Sequence, residues 1–545
     1  MPQERVSVLV VGGGSVGLAA ALFLARQGLR PVLLERRSGT SPYPRATGLA
    51  PRTRELLREA GLDEAVAAAG STMARSGGKV VVEQLAGADL GAARRMVPVA
   101  DGSGAALGRV SPVRGADGIC PQDLLEPLLL DRARALGADI RFDTEATALD
   151  AGPDRVVVTA TDTRTGRVST LAADYVVAAD GAASPIRTRL GLGFDGPGPL
   201  GGTMISVLFR ADLSDLVRGH EFVVCEVHHP EATGLLLAIN NTDRWVFYIS
   251  CPPDSGLTPE DFPPEKCAEQ VRKAIGLPGL DPEILAVMPW QPAAAVAGAM
   301  RAGRVFLAGD AAHVMPPSGA YGLNTGIADA HNLAWKLGLV LGGRAGQALL
   351  DTYEAERLPV ARFTVEQAML VQRNPRLHWD LKSSLAERER IGMADPFVVS
   401  LGYQYDSTAV VGPRGGLPSP ADAAADLDGH PGSRVPHLWV ERSGRRVSTV
   451  DLAGGFVVLA GPAGGAWSVA AGEVSDELGV PVTAYRVAAD GDLVDPEERW
   501  AALAGIKPDG ALLVRPDGFV GWRAVAGVDA PGTALGGALR AILAR

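Results

Sequence analysis

The chain has 545 residues, 47% hydrophobic and 21% charged, with 52 Lys and Arg against 62 Asp and Glu for a formal net charge of −10. Cores stop growing near about 250–300 residues, so this length implies two or three domains, and the apolar fraction excludes a disordered chain. The acidic balance, without any run of Lys or Arg, excludes the clustered basic face that nucleic-acid binding needs.

The opening Met-Pro-Gln-Glu-Arg-Val lacks the features of a signal peptide, and no span of about 18 apolar residues follows, so a cytoplasmic protein without membrane contact is expected. Val6 to Val11 predicts a short apolar strand, and Leu18 to Gln27 a helix ended by Gly28. Between them stands Gly12-Gly13-Gly14-Ser15-Val16-Gly17, the glycine spacing of a dinucleotide-binding turn. Gly12 permits the tight turn, Gly14 lets the backbone approach a pyrophosphate, and Gly17 lets helix and strand pack closely. A second strand, Pro31 to Leu34, ends in Glu35, about 20 residues on, where a carboxylate accepts hydrogen bonds from a ribose diol and repels a 2′-phosphate. The segment Gly191 to Gly196 has the same spacing but follows a helix-like stretch and runs into Pro197, so its context rejects it as a nucleotide turn.

Cys120, Cys225, Cys251 and Cys267 lie far apart, with no CxxC, and read as isolated buried thiols. Tyr175 to Ala179 predicts a strand leading to Asp180-Gly181, after which Ser184 caps a helix with Pro185 in its first position. From about 197 to 300, alternating segments at Thr203 to Ala211, Gly234 to Asn240 and Arg244 to Ser250 predict an antiparallel sheet, suited to be one wall of a substrate cavity. Trp245, Phe247, Trp290 and Pro317 are candidates for its lining, although aromatic residues at strand spacing pack cores more often than they touch ligands. His228-His229 has no partner at a ligand spacing and reads as surface loop, so no metal is expected.

Arg304 to Leu307 predicts another strand, ending in Gly309-Asp310-Ala311-Ala312-His313; Pro316 to Asn324 follows, then a long helix through Asp329 to Lys336. A carboxylate at that strand end can hold ribityl hydroxyls, and a glycine-rich turn into a helix aims N–H groups at the flavin N1–C2=O, where charge gathers on reduction. That arrangement indicates a flavin rather than a nicotinamide site. His313 reads as packing against the helix start. Residues 346 to 385 carry helical patterning with Arg357, ahead of Pro359, as the expected boundary, and Arg373 is a cavity candidate weighed against an ordinary solvated arginine. From about 410 the composition changes at Gly415-Gly416-Leu417-Pro418 and an Ala/Asp-rich stretch; strands are expected at Gly455 to Leu459 and Ala511 to Val514, with a turn at Arg515-Pro516-Asp517-Gly518. No cysteine follows Cys267, which excludes thiol redox chemistry in this tail.

With its three glycine- and acid-bearing motifs in this order, the sequence resembles the aromatic hydroxylase family of flavoproteins related to p-hydroxybenzoate hydroxylase and phenol hydroxylase. The likeness spans essentially the whole chain. Ser41-Pro42-Tyr43-Pro44-Arg45-Ala46, Asp351-Thr352-Tyr353-Glu354-Ala355-Glu356-Arg357 and the tail beginning near Leu417 make it most similar to the large polyketide hydroxylases of actinobacteria, the aklavinone and tetracenomycin oxygenases among them. The resemblance implies an α/β fold: a Rossmann-like FAD-binding domain over 1–195 and 285–400, an inserted antiparallel-sheet substrate domain over 196–284, and a thioredoxin-like C-terminal domain over 410–545 that buttresses the fold or a homodimer. It implies that Glu35, Arg45 and Gln122 contact the adenosine and pyrophosphate side of FAD, Asp310 the ribityl and pyrophosphate, and Gly322, Leu323 and Asn324 the isoalloxazine, with Asp180-Gly181 serving both FAD and NAD(P)H. One departure stands out: Gly319-Ala320-Tyr321 replaces the family's usual pair of glycines after the prolines, setting a methyl and a phenol ring beside the flavin.

The activity so implied is an FAD-dependent monooxygenase that takes NADPH or NADH and O2 and hydroxylates a polycyclic phenolic substrate through a C4a-hydroperoxyflavin. A Baeyer–Villiger oxygenase on the same fold and a non-catalytic flavin-binding protein are the alternatives; a flavin halogenase is excluded, because the Trp-x-Trp-x-Ile-Pro signature is missing. No residue identifies itself as the catalytic base.

Overall fold

A computed structural model describes residues 4–70, 78–93, 95–96, 108–113, 119–252, 256–379, 385–414 and 427–545. The expected glycine-rich segment at 415–418 and the Ala/Asp-rich stretch after it, including Leu417, lie outside the described residues.

The first sheet is eight-stranded, built on a parallel core in the order Val305–Leu307, Val168–Ala178, Glu4–Val11, Val32–Leu34 and Asp139–Arg141. Its middle strands read as continuous apolar runs because both faces are covered, and the Ser15–Arg26 helix returns over it with ten buried residues. That helix begins at Ser15, directly behind the glycines and three residues before the sequence pattern would start it. The Val168–Ala178 strand is longer than expected: its first residues leave the core and pair antiparallel with Val156–Asp162, in an arm too polar to announce itself. The Gly191–Gly196 decoy follows the Pro185–Arg189 helix and runs into the Phe194–Pro199 strand, the reverse of a strand-turn-helix unit.

A seven-stranded sheet runs in the order Glu283–Trp290, Thr203–Arg210, Arg244–Cys251, Gly234–Ala238, Val224–Val227, Lys79–Val82 and Arg95–Met96. Most neighbours are antiparallel, as expected, but Val224–Val227 pairs parallel with Lys79–Val82. Strands from 79–96 therefore join a sheet expected from about 197 to 300, because ladder pairing answers to space rather than to sequence distance. The Pro264–Ile275 helix covers one face, closing a core around Trp245, Phe247, Phe222 and Val271.

Two long helices follow, Gly322–Leu341 and Asp351–Arg373. The second continues through Pro359 instead of ending at Arg357. A proline inside a helix forfeits one backbone hydrogen bond, and here buried side-chain bonds at Tyr353, Glu356 and Arg357 fix the turns just ahead of the proline. The C-terminal sheet has the order Arg445–Ser448, Trp439–Arg442, Leu493–Val494, Val482–Ala488, Phe456–Ala460, Ala511–Val514, Val520–Ala524, with Phe456–Ala460 and Val482–Ala488 parallel about the Gly465–Leu478 helix. The turn at 515–518 is as expected, closed by Arg515 N–H donating to the Phe519 carbonyl at 2.8 Å. Among the described residues, no helix is long and apolar enough to cross a membrane.

Candidate functional site

The glycine turn is held by close packing. Gly12 has φ +105°, and a Cβ there would meet the Ala179 carbonyl at 2.2 Å; one on Gly17 would meet the Gly12 carbonyl at 1.8 Å. Gly14 differs, since its nearest neighbour would be a Glu126 oxygen at 4.0 Å. The chain leaves open space at the glycine expected to let a pyrophosphate approach. Glu35 ends its strand as expected and accepts the Gly13 N–H at 2.6 Å and the Arg37 N–H at 2.9 Å.

Beside this turn lies a residue the sequence did not single out. Glu126 is fully buried and accepts the Ser15 hydroxyl at 2.9 Å, the Gln122 amide at 2.7 Å and the Ser41 N–H at 2.8 Å. Gln122 opens the Gln122–Ala135 helix and Ser41 opens the loop to Arg45, so one carboxylate ties both segments to the helix start at Ser15. Its only sequence signal was an acid on a helix turn, four residues after Gln122.

Asp310 sits in the short Gly309–Ala311 turn after the Val305–Leu307 strand. Its carboxylate is accessible to solvent, yet burial raises its pKa, with the charges of His313 and Arg45 acting against that. A group both accessible and closely surrounded is on the wall of a cleft, and Arg45 faces it there. Asp180 accepts the Ser184 hydroxyl at 2.6 Å and the Ile186 N–H at 3.2 Å, and burial raises its pKa too. Arg187, on the same short helix, donates to the Ala311 carbonyl at 3.1 Å and binds the two acid-bearing turns together.

Gly322 and Leu323 form the first turn of the Gly322–Leu341 helix, where N–H groups lack intrahelical partners. Asn324 spends its side chain on the backbone: it accepts from Ala50 at 2.8 Å and donates to Ala320 at 2.6 Å and Gly48 at 3.1 Å. It fixes the 48–50 loop against the helix start. Ala320 has φ +56°, a left-handed conformation natural to the glycine expected there.

The seven-stranded sheet divides the aromatic candidates. Trp245 and Phe247 point into the core behind it, Trp245 donating its indole N–H to the Ala211 carbonyl at 3.0 Å. Period-two alternation turns their neighbours, Val246 and Tyr248, to the opposite face, where Tyr43 of the Arg45 loop packs. Trp290 stacks edge-on with Tyr248 at 6.1 Å. Register aligns Glu226, Leu235, Tyr248, Ser206 and Met288 in one row across this face. Burial pushes the Glu226 carboxyl up, and pairing with Lys79 and His228 brings it back below its ordinary value. Burial raises the Tyr248 phenol, which bonds Ser206. Pro317 is exposed in the turn before Ala320, and Arg373 is exposed at the end of its helix. Among the described residues, no cluster of three or more His, Cys, Asp and Glu side chains is arranged to hold a metal ion.

Residues 5–368 match the FAD binding domain family, and residues 428–545 the C-terminal domain of aromatic-ring hydroxylases. The chain is 44% identical to the tetracenomycin A2 monooxygenase-dioxygenase of Streptomyces glaucescens, over 100% of this chain and 98% of that protein. It is 42% identical to an aklavinone 12-hydroxylase of Streptomyces purpurascens, over 100% of both. A crystal structure of aklavinone-11 hydroxylase in complex with FAD and aklavinone superposes with a TM-score of 0.88 at 39% identity, covering 100% of each chain. The open side of Gly14, the solvent-facing Asp310 and the unpaired first turn at Gly322 fit a flavin dinucleotide, whose anionic and hydroxyl groups need such donors and acceptors.

Proposed function

The chain belongs to the FAD-dependent aromatic-ring hydroxylases, and on that premise we propose that it uses NADH or NADPH and O2 to hydroxylate a polycyclic phenol of the polyketide type. The observation that carries the substrate class is its full-length likeness to a hydroxylase solved with FAD and aklavinone.

In this reading Glu35 takes the adenosine ribose, Arg45 and Gln122 the pyrophosphate side, and Asp310 the ribityl chain. Gly322, Leu323 and Asn324 present the helix start to the isoalloxazine, and Asp180 serves FAD and NAD(P)H in turn. When bound, FAD supplies the electron transfer from nicotinamide to O2; one oxygen atom enters the ring and the other leaves as water. The protein's task is to hold the ring, orient its hydroxyls and keep water out. Tyr248, Ser206 and Trp290 supply a flat, mainly apolar floor with one hydroxyl pair in it. Glu226, two strands from Tyr248 and about 10 Å away by strand spacing, is the acceptor for a second hydroxyl, a separation suited to fused rings rather than a single one.

The test is the visible spectrum of the purified protein, then NADPH and NADH oxidation under air with anthraquinone-like and naphthacene-like phenols. A yellow protein whose oxidation rate rises with one such ligand, giving a product heavier by one oxygen on the ring, is expected. A lactone product would assign the chain to Baeyer–Villiger chemistry, and indifference to every phenol would remove the hydroxylase reading.

A further inference from the structure

Where the Gly322–Leu341 and Asp351–Arg373 helices meet the C-terminal hairpin, six ionised side chains are buried together. Asp329, Glu356 and Asp517 face Lys336, Arg357 and Arg515, and none is more than 1% exposed. Arg515 grips Glu356 with both terminal nitrogens, at 2.6 and 2.9 Å, and reaches Asp517 at 2.5 and 3.1 Å. Lys336 donates to Glu356 at 2.8 Å, and Asn332 bridges Glu356 at 2.7 Å and Asp517 at 3.3 Å. The next residue along, Arg357, donates to Asp329 at 2.7 Å and to the Tyr405 hydroxyl at 3.1 Å, while Tyr405 stacks on Phe519 of the hairpin at 4.1 Å. Asp329 in turn accepts the Gly309 N–H at 3.1 Å and pairs with His313 at 2.7 Å. Gly309 is the residue before Asp310.

Burying matched ions gains little stability over well-packed apolar residues of the same size, because desolvation offsets the attraction. What apolar packing does not supply is direction. Here each bond is directional, and the series runs without a gap from the C-terminal hairpin to the turn that carries Asp310.

We propose that Arg515 and Asp517 of the C-terminal domain are positioning residues for FAD, holding the Gly309–Asp310 turn in register with the first turn of the Gly322–Leu341 helix through Glu356, Arg357 and Asp329. This rests on the reading of Asp310 as an FAD ligand. It makes the C-terminal domain part of the frame that retains the cofactor, although none of its residues in the network touches the cleft.

The test is FAD titration of the deflavinated full chain by fluorescence quenching, with thermal unfolding and the visible circular dichroism of bound flavin as second readouts. Arg515→Met and Asp329→Asn are expected to weaken FAD binding at least tenfold and to alter the dichroism, with Arg515→Lys recovering part of both. Val474→Ala, which removes core volume from the same domain outside the network, should lower the unfolding temperature and leave FAD affinity unchanged. The proposal is overturned if Arg515→Met and Arg515→Lys bind FAD like the parent, or if Val474→Ala weakens binding by the same factor. Asp310→Ala separates the two levels: normal FAD binding by that variant removes the reading of Asp310, whereas its loss of FAD beside normal binding by Arg515→Met removes the coupling alone.

Discussion

Ser15 and Glu126, 111 positions apart, share a hydrogen bond of 2.9 Å directly behind the nucleotide turn. Since Glu126 receives two further donors there, the carboxylate sets the shape of the opening between Gly14, Ser41 and Gln122. Glu126→Gln keeps the volume but turns one acceptor into a donor facing donors. A buried mismatch of this kind costs about 1–3 kcal/mol, so FAD affinity should fall by roughly tenfold or more in a fluorescence titration; unchanged affinity would remove Glu126 from the site.

The two faces of the seven-stranded sheet should separate kinetically. Tyr248→Phe and Trp290→Ala are expected to raise the KM for the phenolic substrate several-fold, with FAD affinity and unfolding temperature near the parent's. Trp245→Phe strands the Ala211 carbonyl and loosens the core behind the sheet, and should lower stability by about 1–3 kcal/mol with KM unchanged. The opposite pattern would place the substrate on the other side.

Acid sensitivity follows from two histidines. Burial, with help from neighbouring arginines, pushes His437 down to about 3 and His378 to about 4. Once unfolded, both titrate near about 6.5, so between those values the unfolded chain binds more protons. Their contribution to stability is therefore intact above about pH 6.5 and is lost as pH falls, by up to about 1.4 kcal/mol per group and pH unit. Urea unfolding from pH 7 to 4.5 should follow that slope, and His437→Gln should flatten it.

All four thiols are buried, and burial pushes Cys120 and Cys225 up to about 12 and Cys267 to about 11. The native protein should leave a disulfide reagent untouched at pH 8 and titrate four thiols in denaturant; a fast-reacting native thiol would contradict that burial.

The nucleotide turn was legible because its parts are local: six residues between a strand and a helix, with an acid one strand away. The turn at 515–518 was legible for the same reason. Which parity of the Arg244–Cys251 strand packs into the core was not, because Trp245, Val246, Phe247 and Tyr248 are all bulky and mainly apolar, and with a period of two such a run does not say which parity faces inward. The Lys79–Val82 strand of that sheet and the role of Glu126 escaped because they depend on pairings across 100 or more residues. Pro359 misled for a different reason: backbone preference marked a helix end, and tertiary contacts at Glu356 and Arg357 outweighed it.

The grip of Arg515 on Glu356 also constrains how such proteins recombine. A crossover in the stretch between the Asp351–Arg373 helix and the C-terminal sheet splits between two parents both this buried ion pair and the apolar core that Trp335, Leu339 and Leu349 share with the sheet. Hybrids should survive when both parents carry the same charges at 356, 515 and 517, or when the helix and the hairpin travel together. A lineage that exchanged C-terminal domains would thus keep these three positions as a matched set, however far its surfaces had drifted.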